Sequence, residues 1–475
     1  MNLSTSYNQI LKISLPIMLG SAAQNVIALS DSVFLYHRSE EDFGVIGFVG
    51  VFYLVIAAIG FGFSKGGQII IARRMGESRP AEVGRSFYAM LYFELALAML
   101  MFAFMQFGSY YFFQWFVDSD IVLYKSMEYL KYRSWGVFFS YTGVAIIALY
   151  TGIARPIFII VDTVILALVN IFLNYTLIFG HWGFPEMGIG GAGLASTIAE
   201  IVAFVVFVVY IWFDKKAKPF KLFSPPPFDF RSVAQVIRDE KLAVDSEAVV
   251  TKKKRLPITF PLIQNQYTLG APIVAQAVVG LGSWFVFFGI VENMGERELA
   301  ITNLVRMVYL VLSIPCWGFA SGVNTLVSNF IGANKRQAVL PIIWKTAKIC
   351  FASTMLITIP FVLFPQQILY PLLGGSDMSL IIDAQPVLYV LVGILMLFSV
   401  GGVYFNGLAG TGATMFGLKV QFWCAVGYLV YIYFVIEVFE AGLAWAWASE
   451  IFYWAAMLAV TVWFLRRRTW YSLRV

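Results

Sequence analysis

Residues 53–76 read YLVIAAIGFGFSKGGQIIIARRMG, and residues 309–332 read YLVLSIPCWGFASGVNTLVSNFIG. A shift of 256 positions lays Tyr53 and Leu54 on Tyr309 and Leu310, Gly62 and Phe63 on Gly318 and Phe319, Gly66 on Gly322, and Gly76 on Gly332. The same shift puts Pro16 and Ile17 on Pro272 and Ile273, with no gap from there to Gly76. Further on, Thr151-Gly152 matches Thr411-Gly412, and Ala192-Gly193-Leu194-Ala195 matches Ala441-Gly442-Leu443-Ala444. The chain is two copies of one unit.

That unit is built for lipid. Of the 475 residues, 60% are apolar or aromatic and 13% are charged, with a mean hydropathy of +0.78. A soluble globule carries about 25% charged residues because its surface must face water. A cytosolic enzyme, a secreted disulfide scaffold and a disordered chain are excluded on these grounds. A helix needs about 20 apolar residues to cross the hydrocarbon layer. Twelve stretches qualify: 12–36, 43–72, 85–113, 123–152, 155–180 and 188–213, then 265–291, 299–330, 338–369, 380–408, 414–436 and 441–465. The expected fold is an all-α polytopic membrane protein, with twelve transmembrane helices in two pseudo-symmetric six-helix lobes. Six spans is an even number, so the two copies enter with the same polarity, as a parallel repeat about the membrane normal. The lobes are expected at 1–213 and 265–475, joined by a polar linker at 214–264 that holds Pro225, Pro226 and Pro227 and the run Lys252, Lys253, Lys254, Arg255.

The net charge of +6 raises nucleic acid as a partner, but the basic residues lie in short segments between apolar runs. That distribution belongs to a membrane surface. Most of the 33 Lys and Arg fall on one side; Arg38, Lys125, Lys131, Arg133 and Arg297 are counted on the other, and Lys65 and Arg306 lie inside spans. Positive residues are retained in the cytoplasm, so both termini and the linker are expected there, with the protein integral to the plasma membrane. The basic run of the linker reads as a solvated tether ahead of an anionic-lipid contact. The apolar run after Lys12 continues without a small-residue cleavage site, which marks a first membrane helix and not a removed leader. Cys316, Cys350 and Cys424 sit inside apolar stretches and read as buried packing.

Ionisable groups inside spans are costly and are functional candidates by default. Here they are Asp31, Lys65, Glu94, Asp162, Glu200, Arg306 and Glu450. Lys65, Asp162 and Arg306 lie toward span ends, where snorkelling or local pairing suffices. Asp31 differs, because other polar side chains reach its level. Asn174 is six residues before Gly180, at the outer end of the fifth span, and Asn170 is one turn deeper on the same face. Ser196 enters the sixth span at a similar depth, given a rise of about 1.5 Å per residue. The repeat partner of Asp31 is Phe287, and a residue needed only for the fold would recur in both copies. Glu200 and Glu450 occupy nearly corresponding places in the two lobes, which favours a shared structural role over gating. Glu94 is mid-span without a recognisable partner.

The first span with Pro16 and Asp31, the segment Gly66-Gly67-Gln68 to Ala72-Arg73-Arg74-Met75-Gly76, the stretch Asn170 to Gly180 and the run Gly191-Ala192-Gly193-Leu194-Ala195-Ser196 together resemble the multidrug and toxic compound extrusion (MATE) transporters. The resemblance covers nearly the whole chain except the linker. It implies an antiporter that expels small amphipathic, often cationic, organic compounds while H⁺ or Na⁺ flows inward, two lobes alternating between outward-open and inward-open states. It also implies that Asp31, Asn170, Asn174 and Ser196 form the cation-coupling site of the N-terminal lobe. Some members carry a carboxylate in place of the second asparagine, whereas this chain has Asn174, leaving Asp31 as the site's one obvious charge. Acids that certain sodium-coupled relatives carry in the other lobe correspond to Gly280 and Phe398 here. A carboxylate among amides and a hydroxyl accepts either H⁺ or Na⁺, so no metal beyond Na⁺ at Asp31 and no cofactor is expected. The partners expected are organic substrates and the bilayer, without nucleic acid, and the chain is expected to be a monomer. The alternative is a lipid-linked precursor or polysaccharide flippase of the same superfamily; a non-transporting scaffold is a third class.

Enzyme readings are weak. Gly188-Ile189-Gly190-Gly191-Ala192-Gly193 fits G-x-G-x-x-G, but it opens a membrane helix with no strand before it, so small-residue packing is the better account. No P-loop pattern is present, and His37 and His181, the only histidines, fall in outer loops.

Overall fold

Long apolar stretches leave the backbone no water to bond with, so each closes its hydrogen bonds internally as a helix. The computed structural model describes residues 3–115, 119–229, 257–372 and 378–473, with the backbone alone at 21–29, 40, 228–229 and 371–372. The first copy contains α1 (Tyr7–Arg38), α2 (Glu40–Gly76), α3 (Pro80–Ala103), which runs through a π-helical turn into the short α4 (Ser109–Phe113), α5 (Asp120–Gly152), α6 (Ile157–Phe179) and α7 (Gly188–Phe213). The second contains α8 (Phe260–Met294), α9 (Glu296–Leu312), α10 (Ile314–Gly332), α11 (Val339–Leu363), α12 (Pro365–Leu372), α13 (Met378–Gly410), α14 (Thr414–Tyr433), α15 (Leu443–Trp447) and α16 (Ser449–Arg466).

Among the described residues, ten helices are long and apolar enough to cross a membrane, and an eleventh span forms if α9 and α10 are taken together. The first expected span coincides with α1, a 32-residue helix. The span expected at 299–330 is broken: α9 and α10 meet at Ser313 with a bend of 44°. Pro315 opens α10, where the matching position of α2 is Ile59. A proline has no N–H to donate and crowds the preceding turn, so the second copy bends where the first runs on.

Contacts divide the chain into two compact units. One holds Ala23–Val274; the other holds the chain up to Ala22 together with Ala275 onward. Packing inside them repeats as the sequence does. In the first, α5 lies against α2, α3 and α7, and α6 lies on α7; in the second, α13 lies against α10, α11 and α16, and α14 lies on α16.

The linker is less detached than a solvated tether. Phe220, Leu222 and Ile258 join a buried cluster with Ile71, Phe87, Tyr150 and Phe207. Tyr88 donates to the Leu222 carbonyl, Arg85 donates to the Pro257 carbonyl at 2.7 Å, and two residue pairs, Phe228 with Ile258 and Asp229 with Thr259, form a short parallel ladder. Both ends of the linker thus fold onto the first unit. The run Lys252 to Arg255 lies outside the described residues.

The glycine run at 188–193 is packing. A Cβ on Gly191 would meet the Leu177 carbonyl oxygen of α6 at 2.6 Å, and one on Gly193 would meet the Tyr129 carbonyl oxygen of α5 at 2.6 Å. α7 is pressed backbone to backbone against both neighbours, as small residues allow in membranes.

Candidate functional site

That close approach fixes α7, and α7 carries Ser196. Between α1, α6 and α7 the structure brings together all four residues singled out from the sequence. Asn174 donates its amide to Asp31 Oδ1 at 2.5 Å and to Asn170 Oδ1 at 3.2 Å. Asn170 donates to Ser196 Oγ at 3.0 Å, and Ser196 donates to Asp31 Oδ2 at 3.1 Å. The ring of bonds closes on one carboxylate. Asn170 and Asn174 are wholly buried, Ser196 nearly so, and Asp31 half-buried. Both asparagines lie on one face of α6 because residues four apart are neighbours on a helix.

One atom is left over. The carbonyl oxygen Oδ1 of Asn174 is buried without a hydrogen-bond partner among the described residues. Buried polar atoms are nearly always satisfied, so this oxygen leaves the site able to accept one more donor or cation. The oxygens of Asp31, Asn170, Asn174 and Ser196 are hard ligands of the kind a sodium ion or a proton takes. The donor set fits the expected Na⁺ or H⁺, and no group of three or more metal-ligating His, Cys, Asp or Glu side chains occurs among the described residues.

One turn along α7 from Ser196, Glu200 accepts two hydrogen bonds from Arg133, at 2.6 and 2.7 Å. The guanidinium also lies over the Tyr53 ring at 3.8 Å, a cation–π contact. Gly136 makes room for the pair, since a Cβ there would meet Arg133 at 2.2 Å and Glu200 at 2.5 Å. Three expectations are corrected here. Arg133 is not an outer-surface residue but a buried cation inside α5, 7% exposed. Asp31 is therefore not alone, because an ion pair stands beside it. Finally, Glu200 and Glu450 do not share one role: Glu450, on α16, accepts from the indole of Trp284 at 2.8 Å and has no ion-pair partner among the described residues. Sequence spacing missed Arg133 because its partner is 67 positions away, on another helix; the signal that would have found it is its depth, four turns into α5.

Glu94, left without a partner by the sequence, accepts from the Ser64 hydroxyl at 2.7 Å, and its second oxygen is buried and unpartnered. It lies on α3 and stays outside the Asp31 network. Asp162 is buried on α6 with Oδ1 likewise unpartnered. Lys65 lies over the Phe61 ring at 5.5 Å, and Arg306 over the Phe288 ring at 5.2 Å. Gly280 and Phe398 bear no acid, as the sequence showed, and Phe398 packs on Trp454 with ring centres 4.3 Å apart. Cys316, Cys350 and Cys424 are buried free thiols.

The sequence profile of the MatE family matches residues 16–176 and again 272–452, once on each copy. The chain belongs to the MatE family of multi-pass membrane transporters. It is 22% identical over 464 residues to the probable multidrug resistance protein NorM of Thermotoga maritima, covering 93% of this chain and 88% of that protein. It is 22% identical over 429 residues to the probable multidrug resistance protein NorM of Bradyrhizobium diazoefficiens, covering 89% and 85%. Two solved structures share the fold. One is an outward-facing multidrug resistance MATE family transporter of the MOP superfamily, at a TM-score of 0.82 and 18% identity, covering 97% of this chain and 95% of that one. The other is a MOP superfamily transporter from Pyrococcus furiosus, described as having a binding pocket of reversed polarity, at a TM-score of 0.81, 18% identity and the same coverage. This MatE chain thus shows its family on both repeats and its polar network on one.

Proposed function

We propose that this MatE transporter exports small amphipathic organic compounds, often cationic, in exchange for H⁺ or Na⁺, and that the coupling ion is bound and released at Asp31. The observation that carries the reading is the closed ring of hydrogen bonds around Asp31 with the orphaned Asn174 oxygen beside it. A proton or a sodium ion gives that oxygen and the carboxylate the positive partner they lack. One elementary charge falling through 100 mV releases roughly 2.3 kcal/mol, so a few ions per cycle can drive substantial accumulation. Arg133 supports export over a flippase reading, because Glu200 already neutralises it and it is not free to hold a lipid phosphate. On this reading the protein works as a monomer in the plasma membrane with both termini in the cytoplasm.

The test is a substrate-panel export assay in proteoliposomes with the proton and sodium gradients collapsed separately. Asp31→Asn is expected to insert and fold but to lose gradient-driven export, and the gradient whose collapse stops the unmodified protein identifies the ion. Export at the unmodified rate by Asp31→Asn would sink the assignment.

A further inference from the structure

The two repeats treat their buried glutamates differently. In the first copy Glu200 is held by Arg133. Extending the match of Thr151-Gly152 with Thr411-Gly412 back along the helix sets Gly393 at the position of Arg133. There the second copy has no side chain at all: a Cβ on Gly393 would already touch Ile451 at 3.1 Å. Glu450, 5% exposed, therefore sits on α16 without an arginine.

Its surroundings are aromatic. Trp284 of α8 donates its indole N–H to Glu450 at 2.8 Å, and Trp284 stacks on Tyr309 of α9 at 5.6 Å and meets Trp447 edge-on at 6.1 Å. Tyr428 of α14, with Tyr453 and Trp454 of α16, closes the other side; the rings of Tyr428 and Tyr453 are 5.9 Å apart. The titratable groups facing Glu450 are the phenols Tyr309, Tyr428 and Tyr453. Arg306 on α9 directs its guanidinium to the Phe288 ring. Two polar atoms of the same wall, the Tyr428 hydroxyl and the Trp454 indole nitrogen, are buried beside the carboxylate. A bare carboxylate in such a setting is expensive, and a group that lacks a counter-ion becomes neutral instead. The wall offers phenol and indole groups and no second charge among the described residues, so a proton is the partner that fits the carboxyl, with the Tyr428 hydroxyl beside it to share the hydrogen bond.

We propose that Glu450 is a second proton-binding site of this transporter, confined to the second repeat and gated by its hydrogen bond to Trp284. The proton arrives from water when the aromatic wall opens, forms an O–H bond on the carboxylate, and leaves to water by the reverse step, with no other bond made or broken. The site stands independently of Asp31, whichever ion that residue carries.

The experiment is infrared difference spectroscopy of the reconstituted full-length protein on stepping the pH, following the stretch of a protonated carboxylic acid. A titrating band is expected in the unmodified protein, retained in Asp31→Asn and lost in Glu450→Gln. Trp284→Phe, which keeps the ring and removes the N–H, is expected to keep the band and move its midpoint, which guards against an unfolded Glu450→Gln. Tryptophan fluorescence is expected to follow the same titration in the unmodified protein and to lose it in Trp284→Phe. A set of carboxyl bands identical in the unmodified protein and a folded Glu450→Gln would overturn the proposal, as would a midpoint indifferent to Trp284→Phe.

Discussion

At the scale of single residues, charges inside this protein sort by whether a second side chain answers them. Arg133 and Glu200 form a buried bidentate pair, stacked on Tyr53. Removing one partner of such a pair leaves an uncompensated charge and costs about 3–5 kcal/mol, whereas removing both is far milder. Glu200→Gln and Arg133→Met are each expected to lower thermal stability in detergent sharply, and the double variant is expected to recover most of the loss. A double variant as unstable as the sum of the singles would show that the pair is not coupled. The asparagines and the serine around Asp31 were legible in the sequence, because polar residues at matched depths in apolar helices stand out and helical spacing puts them on common faces. The arginine was not: counting basic residues loop by loop assigns position 133 to a surface, and only the fold shows α5 carrying it inside.

At the scale of elements, the small-residue stretch that opens α7 decides how three helices approach. Its mimicry of a nucleotide-binding motif was separable from the sequence alone, since no strand precedes it. The contacts give the positive reason. Gly193→Ala pushes a methyl group against a backbone carbonyl that has little room to retreat, and an overpacked core of this kind costs about 1–3 kcal/mol. Gly44→Ala, where a Cβ meets nothing within 4 Å, is the matched control and is expected to be neutral. Equal melting temperatures for the two variants would contradict the packing account. The bend at Ser313 is an element-scale feature that hydropathy could not place, because the apolar run continues through it. Pro315 was visible, but a proline tells where a helix is weakened and not by how much it turns.

At the scale of the whole molecule, the repeat and the run of apolar spans were open to reading from the first comparison of residues 53–76 with 309–332, and the family profile falls on the same two segments. The anchoring of the linker's ends was not legible: Phe220, Leu222 and Ile258 are buried in the first unit, while the Lys252 to Arg255 run read as a tether lies outside the described residues. Sidedness is the prediction that belongs here. The excess of Lys and Arg argues for the linker and the C-terminal end on the cytoplasmic side of the bilayer. Cysteines introduced one at a time, as Lys253→Cys and Arg467→Cys, are expected to react with an impermeant maleimide from the cytoplasmic face only. Reaction of either from the opposite face would reverse or break the topology. The three native thiols are buried and should stay silent.

The tight seating of α7 has a consequence for ion choice. Its first turns touch two neighbouring backbones just ahead of Ser196, which leaves that stretch of helix little room to shift. If Asp31 carries the coupling ion as proposed, a site anchored on so fixed a helix is expected to favour a small cation over potassium, and equal export driven by a potassium gradient would contradict that.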